Sequence, residues 1–209
     1  MTQLTDIRDL VREATRFDSS DASLTDSNLT SLINRGLKAI ATEHDWPWLY
    51  AETTISAVVG TRDYNFPTGA TQISFVSFED DGPFVVKQLK ELQRYNDTTI
   101  TGQPYMFAPV GVTSIRIAPY PDQAYTLDVG YYQDESVLSG DTNEPLLPDA
   151  YDEMLVAYVV KLVGMRIGNV EMSRSGASEY REWVSRTRDN VKVTSVLPRP
   201  TARRDWGWR

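Results

Sequence analysis

The chain has 209 residues, a formal net charge of −8, one histidine and no cysteine. That length suits one domain, or one domain with a large insertion, and supports a core without staples. The lack of cysteine excludes disulfides and thiolate metal sites, and the acidic balance argues against general nucleic-acid binding driven by counterion release.

The opening MTQLTDIRDLVREATRFD has no basic stretch followed by an apolar one, so no signal peptide is expected. No apolar run approaches membrane-spanning length, and a soluble protein, intracellular or inside a particle, is the expectation. Leu4, Ile7, Leu10, Val11 and Ala14 predict a first helix over about 5–17. A polar loop at 18–23 breaks it. Thr25 stands where an N-cap belongs, ahead of the stripe Leu29, Leu32, Ile33, Leu37, Ile40 and Ala41. Gly36 lies on that stripe, and since glycine costs about 1 kcal/mol inside a helix, a close approach by another helix is expected there. Pro47 ends the run.

From residue 53 the period changes to two. Alternation predicts strands over 54–58 and 73–78, with residues 84–86 returning as a hairpin partner across the turn Glu79-Asp80-Asp81-Gly82-Pro83. A short helix with Leu89 and Leu92 inward follows. Strands near Met106, Ile115 and Leu127 complete a small antiparallel sheet of about five or six strands. After an acidic loop at 133–144, Pro148-Asp149 starts a helix with Tyr151, Met154, Leu155, Tyr158, Leu162 and Met165 at helical spacing. Gly168-Asn169 stops it. A last helix over about 172–191 carries Tyr180, Trp183, Val184 and Val191 on one stripe.

The pattern is an α+β fold. Residues 1–50 and 148–191 form the two parts of a helical bundle, 51–147 an inserted antiparallel β-module, and 192–209 an extended tail. From Lys192 onward five cations oppose one anion, a net of +4, which leaves −12 for the body.

Candidate chemistry is sparse. His44 beside Asp45 has no patterned nucleophile near it, and a cation at a helix C-terminus is the simpler reading. Trp46 and Trp48 are expected as wedges between the helix pair and the sheet. The carboxylates Asp134, Glu135, Asp141, Glu144, Asp149, Asp152 and Glu153 match no calcium-loop spacing and read as a solvated loop plus first-turn acids. No GxGxxG or GxxxxGK[ST] occurs, so nucleotide binding is unsupported. No catalytic, cofactor or metal residue is assigned, and the chain is expected not to be an enzyme. The tail stands apart. Arg199, Arg203, Arg204, Trp206, Trp208 and Arg209 combine two residue types enriched at interface hot spots. Docking on a neighbouring subunit or a larger partner is the favoured reading, with a disordered terminus or nucleic-acid contact as alternatives.

The order GQPYMFAP, IRIAPYPDQAYTL, YY, acidic loop and LPDAYDEMLV, preceded by LTSLINRGLKAIA and EHDWPW, resembles the head-to-tail adaptor proteins of tailed bacteriophages over about residues 4–183. The resemblance implies a structural virion protein at the head-tail junction, assembled in the host cytoplasm. Copies would form a dodecameric ring beneath the portal protein, contact a downstream tail protein and let genomic DNA pass without sequence-specific binding. A carbohydrate- or ligand-binding β-module on a helical stalk, using Tyr105, Phe107, Tyr131 and Tyr132, is the alternative.

Overall fold

The computed structural model describes residues 2–17, 24–78, 82–95 and 97–194, with residues 192–194 described through their backbone only. In chain order the helices are α1 (Leu4–Thr15), α2 (Asp26–Glu43), α3 (Leu89–Leu92), α4 (Asp152–Ile167) and α5 (Val170–Thr194). The strands are β1 (Tyr50–Ala57), β2 (Asp63–Asn65), β3 (Ala70–Ser77), β4 (Val85–Val86), β5 (Met106–Val110), β6 (Ser114–Ala118) and β7 (Tyr125–Gln133). The fold is α+β, as expected. Two compact units divide the chain, one of residues 1–37 and 137–209, the other of 38–136, with the boundary inside α2.

The helical unit begins with a reciprocal cap, in which the Gln3 amide donates to Asp6 Oδ2 at 3.0 Å. A helix start leaves further amides without intrahelical partners. Those of Leu4 and Thr5 donate to the carbonyls of Asn143 and Asp141 at 2.9 and 3.2 Å. Part of the segment expected to be a solvated acidic loop is thus bound to α1. The buried face of α1 holds Leu4, Ile7, Arg8, Val11 and Thr15, while Ala14 is exposed. Burying Arg8 requires partners, and its guanidinium meets Asp141 at 2.8 Å and Thr30 Oγ1 at 3.1 Å.

Leu29, Leu32, Ile33 and Leu37 of α2 are buried, as their spacing predicts. A Cβ on Gly36 would stand 2.8 Å from Leu155 Cδ1 of α4, so the expected close helix approach is present. Helix α4 is buried on more than one stripe, adding Val156, Val159 and Val163, whereas Met165 is 62% exposed, against expectation. A helix packed by several neighbours needs apolar residues on several sides; α4 packs on α1 and α5 and meets Gly36 of α2. It ends at Gly168, whose φ of 75° suits a left-handed cap. Asn169 Oδ1 then accepts the Met172 amide at 3.0 Å, so α5 starts at Val170, two residues ahead of the predicted start. Tyr180, Val184, Thr187 and Val191 of α5 are buried.

In the second unit, β1–β7–β3 form an antiparallel sheet and β2–β6–β5–β4 a mixed one, antiparallel except for β4 beside β5. Their facing side chains, among them Val76, Phe107, Ile115, Ile117, Leu127 and Val129, share one core. Strand β5 is buried on both faces. Phe107 enters the shared core, while Met106 and Ala108 pack beneath Leu92 of α3. That explains a continuous apolar run where half-buried strands alternate. Residues 84–86 are not a hairpin partner of β3. Only the Phe84 amide bonds to Val76, at 2.7 Å, and Val85–Val86 pair in parallel with Met106–Phe107 in the other sheet. The parallel pairing with β5 buries Phe84 while leaving both valines outside. Leu89, expected inward, is 37% exposed.

Candidate functional site

Two surface features of the 38–136 unit stand out, one at each end of β3. The first surrounds β4, a strand of two residues paired on one side only. The Val85 amide donates to the Tyr105 carbonyl at 3.0 Å and the Lys87 amide to Phe107 at 2.8 Å. Strand alternation therefore turns the Val86 amide and carbonyl away from the sheet. Val85, Val86 and Tyr105 are each at least half exposed. Beside them lies a cleft of about 460 Å³ walled by Phe78, Pro83, Phe84, Pro104 and Tyr105. The Tyr105 hydroxyl bonds to that of Tyr95 at 2.8 Å, a contact that, with burial, raises the Tyr105 pKa.

Exposed cations line the same region: Lys87, Lys90 and Arg94, with Glu91 3.9 Å from Lys87. Residues 38–136 contain six Lys and Arg against thirteen Asp and Glu, a net of −7, so half of that unit's cations fall within eight positions. The helical unit carries only −1 of the total −8. With the +4 of residues 192–209 set aside, the −12 of the body divides into −7 for the β-unit and −5 for the helical residues.

The second feature is a cleft of about 410 Å³ where α2 ends and β3 begins, lined by Asp45, Leu49, Thr71, Tyr132 and Asp134. Burial, then the neighbouring Asp45 carboxylate, pushes the Tyr132 pKa up. His44 stands at this rim, its ring edge-on to Trp46 at 5.0 Å. Trp46 is fully buried, donates from Nε1 to the Ile40 carbonyl at 2.7 Å and stacks on Trp48 at 4.7 Å. The imidazole is held by ring packing.

The carboxylates singled out from the sequence do not converge. Asp141 pairs with Arg8, while Asp149 Oδ1 accepts the Thr2 amide at 2.8 Å. Asp152 Oδ2 accepts the Thr2 hydroxyl at 2.5 Å. Asp152 is a first-turn acid of α4, as expected, but it is only 8% exposed, and burial raises its pKa. Among the described residues no group of three or more His, Cys, Asp or Glu could hold a metal ion, and no helix is long and apolar enough to cross a membrane. The four aromatics of the ligand-binding alternative do not form one platform: Phe107 is in the core, while Tyr105 and Tyr132 line separate clefts.

The tail residues Arg199, Arg203, Arg204, Trp206, Trp208 and Arg209 lie outside the described residues. Sequence reasoning missed the β4 lobe and the buried Arg8. The signal for Arg8 was present, since it falls on the apolar stripe of Leu4, Ile7 and Val11. The lobe left only the cluster of three cations in an acidic stretch.

The family described as SU10 adaptor protein matches residues 2–204. No curated protein matches the chain.

Proposed function

The chain belongs to the SU10 adaptor protein family, and on that premise we propose that it is a structural virion protein joining head to tail. Copies form a twelve-fold ring beneath the portal protein, bind the next tail protein on the opposite side and leave a passage for genomic DNA. The protein works by shape and charge and is not an enzyme. The family match over nearly the whole chain carries this reading. A closed ring of identical copies needs two different, complementary faces on each copy. An acidic β-unit of net −7 would repel the DNA backbone and favour sliding over binding. Twelve copies at −8 would carry a formal −96.

The tail supplies the anchor. Arg199, Arg203, Arg204, Trp206, Trp208 and Arg209 dock on the portal or on an adjoining copy, and burying an aromatic side chain contributes roughly 1.5–3 kcal/mol against the cost of ordering the segment. The test is co-sedimentation of the full chain, and of a chain ending at Val191, with purified portal rings. The full chain should bind in a salt-sensitive manner and the shortened one should not. Equal binding by both removes the tail from the interface, and no binding by either removes the adaptor reading.

A further inference from the structure

The β-unit presents a cationic, apolar lobe and an acidic cleft at the two ends of one strand. Ser77 and the neighbouring Phe78 stand at the lobe, Thr71 and Gln72 at the cleft. Six strand residues at roughly 3.3 Å each separate the two by about 20 Å. A single rigid unit cannot close one onto the other, so any engagement between them joins two copies.

We infer that the β4 lobe of one copy docks on the acidic β-unit of the next, at the cleft of Asp45, Tyr132 and Asp134. This rests on the ring reading above and names the contact that would close it. Three observations converge on a second copy as the occupant. Lys87, Lys90 and Arg94 interrupt a unit whose net charge is −7, so the chain itself offers the complementary surface. Val85 and Val86 are 51% and 61% exposed on an edge with a free amide and carbonyl at Val86. Edge strands with exposed apolar side chains are templates for pairing with another chain. The basic tail is a poor occupant of the lobe, because like charges repel. Lobe and cleft are also different surfaces, as a heterologous ring contact requires.

The valines and the Val86 backbone would supply the short-range contact, and the three cations its orientation and salt dependence. Full-length chains labelled with ¹⁴N and ¹⁵N are mixed, assembled with portal rings, and treated with a zero-length carbodiimide cross-linker. Mixed-isotope links should join Lys87 or Lys90 to Asp45, Asp134 or Glu135. In parallel, Lys87→Glu with Lys90→Glu and Arg94→Glu should weaken association about tenfold or more. Adding Asp45→Lys, Asp134→Lys and Glu135→Lys to that chain should restore it. Should the reversed chain fail to fold, the cross-links on the wild-type chain decide. Rings that form without those links, or a folded reversed chain that assembles normally, overturn the lobe-to-cleft contact and leave the ring intact. A wild-type chain that never assembles removes both.

Discussion

Replacing Gly176 by alanine tests how closely α4 and α5 cross. A Cβ there would stand 2.6 Å from the Lys161 amide nitrogen and 2.8 Å from the Ala157 carbonyl oxygen. Both are backbone atoms of α4, so relief requires one helix to move by several tenths of an ångström. Overpacking of this kind costs about 1–3 kcal/mol, while alanine recovers about 1 kcal/mol of helix propensity. A clash with backbone atoms falls in the upper part of that range, about 2–3 kcal/mol, so the net expectation for Gly176→Ala is destabilisation of about 1–2 kcal/mol. Gly36→Ala is the matched control. It lies in α2 with the same propensity gain, but its 2.8 Å neighbour is the Leu155 Cδ1 methyl, the movable end of a side chain. That substitution should fall within about 1 kcal/mol of neutral. For a chain of this size 1 kcal/mol corresponds to about 2–4 °C in Tm. Thermal and urea unfolding followed by far-UV circular dichroism will separate the two variants. If Gly176→Ala raises stability by the propensity gain alone, the close crossing is wrong.

Gly130→Ala should disrupt the β1–β7–β3 sheet, because a Cβ would stand 2.2 Å from Phe75 Cε1 and 2.6 Å from the Tyr50 hydroxyl. A loss of about 2–3 kcal/mol in urea unfolding is expected, with partial recovery on adding Phe75→Ala; equal loss in both variants would contradict the geometry. Asp63 grips Arg116 with two bonds, of 2.6 and 2.8 Å, which hold its carboxyl below the ordinary value. A depressed folded pKa adds stability above the unfolded value and loses it as pH falls through the folded one. Asp63→Asn should therefore cost about 0.5–1 kcal/mol at pH 7, discounted for partial exposure, and nothing in acid below that folded value. A difference from wild type that persists unchanged in acid would show that the charge is not responsible.

The helices were legible from local information. The stripe of Leu29, Leu32, Ile33 and Leu37 and the stop at Gly168-Asn169 are statements about residues within a few turns of one helix. Each is enforced by backbone geometry near its own position. The candidate site was less legible. Its three cations are visible in the sequence, but Val85 and Val86 read as a hairpin strand, and only the pairing with β5 shows them as an exposed edge.

Amino-acid order alone therefore determined the alternation of periods and the α+β class. Tertiary structure decided which surfaces those elements share. Pairing Val85 with Met106 rather than with β3, binding Asp141 to Arg8, and burying Asp152 while exposing Met165 each depend on partners many residues away. Such contacts are set by which apolar faces can be covered at once. That is a property of the whole packed unit, and no local period encodes it.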